Sequence, residues 1–393
     1  MAPRDPHKSA AWRFIILVGV VSLFSDMTYE GARSITGPFL GSLNASATII
    51  GIVAGLGEFI GYALRLVSGY LTDRLGKYWS ITFAGYALNL FAVPLLALAG
   101  NWQLAAVLIL LERLGKAIRT PARDAMLSHA TTEVGRGWGF GFHEAMDQIG
   151  AMLGPLIVAL VLYLKGSYRE GFAYLLIPAI LAVLVIALAA RLYPHPQHLE
   201  VSVAKLETQG LAHPFWLYVG AVGLIGAGYA DFPLIAYHFG KAAVVPPNWI
   251  PLFYAVAMGV DAVAALILGR LFDRLGLPVI VVTAVLSSLF APLVFLGGFH
   301  LALLGMALWG IGMGAQESII KAALAEMVPR DRRATGYGIF NTGFGLFWFL
   351  GSALMGILYD VSLGALIAFS LIMQLMAIPL FLRVSRELCL VRR

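Results

Sequence analysis

Long apolar runs separated by short polar breaks organise this chain from end to end. A helix that crosses a bilayer needs about 20 mainly apolar residues. Twelve runs meet that description, near residues 12–38, 47–72, 78–99, 103–126, 138–164, 170–192, 214–238, 249–272, 277–298, 301–326, 336–360 and 363–383. The pattern predicts an all-α membrane protein of twelve transmembrane helices. Most breaks are a few residues long: Gly100, Asn101 and Trp102 divide the third run from the fourth, and Gly298, Phe299 and His300 divide the ninth from the tenth.

One break is longer. Residues 193–213 are polar and carry two prolines, which predicts a linker between an N-terminal six-helix half (1–192) and a C-terminal six-helix half (214–393). Lys and Arg set orientation, because they concentrate on the cytoplasmic side. Bases occur at Arg4, Lys8 and Arg13, then at Arg74 and Lys77, Arg119, Arg123 and Arg136, Arg191 and Lys205, Arg270 and Arg274, Arg330, Arg332 and Arg333, and at the C-terminus. Alternating helices put all of these on one side, with only Lys165, Arg169 and Lys241 near loops of the other. The expectation is a multi-pass protein of the inner membrane with both termini and the linker in the cytoplasm. The run after the polar stretch Met1–Trp12 is too long for a signal-peptide core and is expected to be retained as the first helix.

Composition agrees with the pattern. Of 393 residues, 60% are hydrophobic and 12% charged, against about 45–50% and 25% in soluble domains. The net charge of +6 is accounted for by loop anchors, so no nucleic-acid partner is expected. The single cysteine, Cys389, permits no disulfide framework within the chain. No CxxC, HExxH, GxSxG in its context, or Walker A sequence is present. The expectation is therefore no enzyme, no metal, no cofactor and no direct use of ATP.

The chain repeats itself. GYLTDRLG at 69–76 returns as GRLFDRLG at 269–276, each at the end of the second helix of a half. A weaker echo pairs Gly139, Gly141 and Gly154 with Gly336, Gly338 and Gly351. Two halves from one ancestral unit is the economical reading. In these loops Asp73 can accept hydrogen bonds at a helix N-terminus. Gly76 permits a turn, and Arg74 and Lys77 can anchor to anionic lipid. GxxxDRLGK between helices two and three, repeated as GxxxDRLG between eight and nine, resembles the signature loop of the major facilitator superfamily. The resemblance covers the whole chain in helix count, linker and repeat. It implies gating roles for Gly69, Asp73, Arg74, Gly76 and Lys77, and for Gly269, Asp273, Arg274 and Gly276. Leu277 stands where a base is common. The resemblance also implies alternating access, with two halves rocking about a midplane site.

The fifth run carries Gly150, Gly154 and Pro155. They look like the motif associated with proton-coupled antiporters of that family, although Val158 and Ala159 replace its following glycines. Close helix packing with a proline bend is the structural alternative. Arg113 in the fourth run matches the family's buried arginine, and the surrounding ERLGKAIRTPARDAM (112–126) is unusually charged.

A charge at bilayer depth costs about 2.5–3.5 kcal/mol on insertion scales, so each is a candidate for function. Asp26, Glu30 and Arg33 follow spacings of four and three, roughly one face of the first helix. Family geometry places helices one, four, seven and ten around the cavity, which would let Asp26 or Glu30 meet Arg113 as a proton switch. Glu58, Asp231 and Glu317 are further candidates for the cavity. His143, Glu144 and Asp147 enter the fifth helix as candidates for a cytoplasmic gate. Each has a structural alternative as an ion pair between helices. Aromatic residues such as Tyr29, Tyr229, Tyr237, Trp309 and Trp348 are packing or interface anchors unless they stack on a substrate.

The function these readings converge on is secondary active transport of a small organic solute, by proton-coupled export. Uptake by symport or facilitated diffusion is the alternative within transport, and a receptor or scaffold the distant one. The expected partners are the lipid bilayer, a small-molecule substrate and protons, and the expected state is a monomer.

Overall fold

The computed structural model describes residues 6–134, 136–194, 213–328 and 333–391. The linker expected at 193–213 lies outside these residues from 195 to 212, as does the side chain of Asp73. Among the described residues every regular element is a helix, the only open-chain solution that satisfies backbone N–H and C=O groups in hydrocarbon.

Among the described residues, eleven helical segments are long and apolar enough to cross a membrane. The twelfth crossing is Trp102–Val134, whose 33 residues span about 50 Å at 1.5 Å per residue. Its charges between Glu112 and Asp124 keep it out of the apolar set. With it, the chain is a twelve-helix transmembrane protein. Several helices outrun their apolar cores: the first covers Pro6–Ser42 and the fifth Arg136–Lys165.

Four expected helices are interrupted. The sixth breaks at Leu175, the ninth at Leu289 and the tenth at Ser318. The seventh is two pieces, His213–Gly228 and Phe232–Lys241, with Tyr229, Ala230 and Asp231 outside helix. Pro233 opens the second piece, where its missing N–H costs nothing.

Packing divides the chain into two compact units. The first comprises Met1–Arg33 and Leu64–Val203. Its third helix (Tyr78–Leu95) and fourth helix press together through glycine: a Cβ on Gly115 would lie 2.3 Å from the Asn89 nitrogen. Pro121 lies inside the continuous fourth helix and removes the N–H that the Ala117 carbonyl would accept. The Ser68 hydroxyl of the second helix donates to that carbonyl at 2.7 Å.

The second unit comprises Ser34–Ala63 and Ala204–Arg393. Its first segment, the end of helix one and the start of helix two (Ala47–Leu75), packs on helices seven and eleven through glycine. A Cβ on Gly37 would overlap the Pro233 carbonyl, and one on Gly51 would lie 2.3 Å from the Ser352 oxygen. The eleventh helix, Arg333–Val361, also supplies Asp360. Its carboxylate accepts from the Ala47 and Thr48 N–H groups (3.3 and 2.9 Å) and from the Thr48 hydroxyl (2.7 Å). A carboxylate from a distant helix thus caps the second helix, where the helix dipole favours an anion.

The repeat is visible in the backbone. Gly76 and Gly276 have φ of +62° and +69°, the left-handed region that glycine enters without strain. Their N–H groups close on Thr72 and Phe272 at 2.9 and 2.8 Å.

Substituting Gly51→Val is expected to lower stability by roughly 1–3 kcal/mol through overpacking. Gly220→Val, where a Cβ meets nothing within 4 Å, is expected to change the melting temperature in detergent far less.

Candidate functional site

The first unit holds a line of charged side chains where a membrane protein is expected to be apolar. Asp26, Tyr29, Glu30 and Arg33 come from the first helix, Glu112, Arg113, Lys116, Arg119 and Arg123 from the fourth, and His143 and Asp147 from the fifth. Asp26 is 6% exposed, Glu30 7%, Arg113 9% and Arg119 1%. On the fourth helix, Glu112, Lys116, Arg119 and Arg123 follow the spacing 4, 3, 4 and so form one stripe.

The partners differ from simple acid–base pairing. Arg113 Nε lies 3.2 Å from Glu112 Oε2, and Glu112 also accepts from the Asn89 amide at 2.7 Å. Arg33 and Glu30 approach to 4.0 Å. Lys116 Nζ sits 3.9 Å from the centre of the Tyr29 ring. The Arg119 guanidinium lies 4.4 Å from the Tyr86 ring and 5.8 Å from Tyr29. A ring face replaces part of a cation's hydration and contributes on the order of 0.5–2 kcal/mol. Arg119 Nε and Nη1 and Asp26 Oδ1 are buried with no hydrogen-bond partner. The positive charges that bear most strongly on Asp26 are Lys116 and Arg119. The sequence reading let Asp26 or Glu30 meet Arg113; for Asp26 the cations that bear on it include Lys116 and Arg119, which that reading did not name as its partners. The signal was the spacing within ERLGKAIRTPAR, but the rotation of the helix is set by packing.

The fifth helix supports this cluster from behind. A Cβ on Gly150 would lie 2.3 Å from the Leu23 oxygen and 2.9 Å from Asp26 Cβ, and one on Gly154 would lie 2.3 Å from the Met27 oxygen. These glycines let the fifth helix lie against the backbone of the first, with Pro155 inside the helix just beyond. Toward the start of the fifth helix, His143 Nε2 meets the Ser22 hydroxyl at 2.8 Å and His143 Nδ1 lies 3.4 Å from Asp147 Oδ2. Glu144 is exposed.

The remaining candidates are dispersed. In the second unit, Asp231 sits in the break of helix seven, where its carboxylate accepts from the Trp348 indole N–H at 2.9 Å and the Ser352 hydroxyl at 3.3 Å. The carbonyls freed by the break are satisfied too: Gly228 accepts from Ser370 (2.6 Å) and Gln374 (3.2 Å), and Ala230 from Trp309 (3.0 Å). The Tyr229 hydroxyl donates to the Trp309 carbonyl. Tyr229, Trp309 and Trp348 are packed core, with exposures of 0, 0 and 3%. Glu58 and Glu317 are half-buried in their helices. The His238 ring contacts the Tyr359 hydroxyl at 3.0 Å.

At the loops, Arg74, Lys77, Asp273 and Arg274 are exposed. Gly69 faces Pro121 at an ordinary 3.5 Å, and Gly269 faces open space. Neither position requires glycine for a close approach of helices.

Asp231→Ala is expected to cost about 1–3 kcal/mol, because the buried Trp348 N–H loses its acceptor. Asp231→Asn, which keeps an acceptor oxygen, is expected to retain most of that stability. Tryptophan fluorescence during thermal unfolding reads both.

Comparison with known proteins agrees with this architecture. The family model described as Major Facilitator Superfamily matches residues 18–316 and 231–388. An uncharacterized protein of Mycobacterium tuberculosis is 40% identical over 376 residues, covering 94% of this chain and 92% of its own length. An uncharacterized MFS-type transporter of Methanocaldococcus jannaschii is 28% identical over 364 residues, covering 88% and 89%. Among solved structures, a bacterial homologue of the human lysosomal transporter Spinster, in an inward-facing and occupied conformation, superposes with a TM-score of 0.74. It is 16% identical and covers 97% of both chains, a likeness of fold. With twelve helices, the repeated DRLG loop and the family match along the chain, this protein belongs to the Major Facilitator Superfamily and is a membrane transporter.

Proposed function

We propose that this transporter exports a small organic solute in exchange for protons, and that Asp26 carries the coupling proton. The observation that carries this reading is the Asp26 carboxyl itself. It is buried at mid-helix, one oxygen lacks a hydrogen-bond partner, and two cations, Lys116 and Arg119, bear on it. Such a group changes charge readily: losing a proton restores its attraction to the cations, and gaining one relieves the cost of burying a carboxylate. Export is favoured over uptake by Gly150, Gly154 and Pro155, which resemble the antiporter motif and lie directly behind Asp26.

In this reading the chain divides functionally into halves 1–192 and 214–393, which alternate access to the two sides. The Asp73 and Asp273 loops latch the cytoplasmic face, and both termini lie in the cytoplasm of a cell whose inner membrane holds the protein. Glu30, Arg113, Glu58, Asp231 and Glu317 act in the cavity or its support. The protein works as a monomer.

The test is proton release from purified protein in weakly buffered detergent, across a panel of drugs, metabolites and siderophores. Release with one compound, lost in Asp26→Asn, is the expected result, and Glu30→Gln is expected to weaken it less. Release unchanged in Asp26→Asn would remove Asp26 from the coupling role. Binding without release would favour a facilitator or another coupling ion. For the latch, Asp73→Asn is expected to abolish most energised flux in proteoliposomes while compound binding persists.

A further inference from the structure

We infer that the coupling proton is held by two carboxyls rather than one, Asp26 on the first helix and Asp147 on the fifth, with His143 as the positioning residue for Asp147. This rests on the reading that the transporter is proton-coupled through Asp26.

Three observations place the two acids together. Gly150 follows Asp147 by three residues, one turn of the same helix face. At Gly150 an added Cβ would lie 2.9 Å from Asp26 Cβ, so the Asp26 side chain meets the fifth helix where no side chain stands in the way. Asp26 and Asp147 are also electrostatic neighbours. Each keeps a buried oxygen, Oδ1, with no hydrogen-bond partner. Two carboxylates that feel each other's charge beneath a protein surface repel each other when both are ionised. One shared proton removes the repulsion, and the pair then titrates as a unit.

The surroundings explain why one proton, rather than two or none, suits the pair. The groups that bear on it are Ser22, Tyr29 and Glu30 on helix one, Lys116, Arg119 and Arg123 on helix four, and His143 and Glu144 on helix five. The cations favour keeping one negative charge on the pair, and the remaining acids disfavour a second.

The donors around His143 run in one direction. Arg123 Nη1 donates to the Ser22 oxygen at 3.1 Å, and an arginine has no acceptor to offer in return. The Ser22 hydroxyl hydrogen is then free to donate to His143 Nε2, 2.8 Å away. An imidazole that accepts at Nε2 carries its hydrogen on Nδ1. Nδ1 faces Asp147 Oδ2 at 3.4 Å. With Ser22 donating to His143, the histidine hydrogen on Nδ1 faces Asp147; Ser22 also reaches Asp147 itself, so His143 and Ser22 together position this carboxyl and leave Oδ1 as the oxygen without a hydrogen-bond partner. The transfer is balanced: the O–H bond of one carboxylic acid breaks as that of the other forms, and the pair keeps one negative charge. When solute binding drives the proton out, the pair carries two.

Infrared difference titration of the full chain in proteoliposomes, with protons as the only probe, tests this. The variants are Asp26→Asn, Asp147→Asn, the double variant and His143→Gln. The expected result is that removing either acid moves the pH midpoint of the remaining carboxyl by about one unit or more. The double variant is expected to lose the signal, and His143→Gln to move the midpoint while the melting temperature holds. If Asp26→Asn abolishes the signal and Asp147→Asn leaves the wild-type curve, the pair is overturned and the single-carboxyl reading stands. A wild-type curve in the double variant overturns both. An unmoved midpoint in His143→Gln, or one that moves only with a fall in melting temperature, overturns the positioning role of His143.

Discussion

Every backbone N–H and C=O within the hydrocarbon layer has to find its partner inside the protein. That constraint produces twelve helices, and it also governs where helices break. Pro121 deprives the Ala117 carbonyl of its donor, and Ser68 supplies one from the neighbouring helix. The seventh helix opens at residues 229–231, and its loose carbonyls are taken up by Ser370, Gln374 and Trp309. Irregular backbone at membrane depth is stable where side chains of other helices repair it.

Charge is subject to the same constraint more severely. Burying an ion in a bilayer costs several kcal/mol unless it is matched. The first unit concentrates its ions so that they compensate one another, through ion pairs at Glu112–Arg113 and Glu30–Arg33 and through ring faces under Lys116 and Arg119. The match is incomplete by hydrogen bonding: Asp26, Arg119 and Asp147 each retain a buried polar atom with no hydrogen-bond partner. The second unit treats its buried Asp231 differently, giving it two donors inside an aromatic core, and the result is structural support.

Glycine links the two constraints. Helices in lipid gain little from the hydrophobic effect and associate through close packing. Gly150 and Gly154 let the fifth helix touch the backbone of the first, and this brings the Asp147 face to Asp26. Gly37 and Gly51 do the same for the segment 34–63 against helices seven and eleven, where Asp360 then reaches the start of helix two.

The linear chain determined the class of fold. Hydrophobic runs report helix number directly because each crossing needs the same length of apolar sequence. The DRLG loops reported the repeat, since a tight turn between short polar anchors leaves a local trace, visible again in the matching φ of Gly76 and Gly276. The low charge content also made each ion in a run conspicuous, so Asp26, Glu30, Arg113 and Asp147 were legible as candidates. Their partners were not. Which cation faces Asp26 depends on the rotation of the fourth helix about its axis, and a helix this charged has no clean apolar stripe to reveal that rotation. The break in helix seven left a local trace in the flanking Gly228 and Pro233, but the donors that fill it did not show in the sequence. Tertiary structure decided both, through close contacts at Gly115 and Gly150 and through donors supplied from other helices, because packing in a membrane is settled by contacts between segments far apart in sequence.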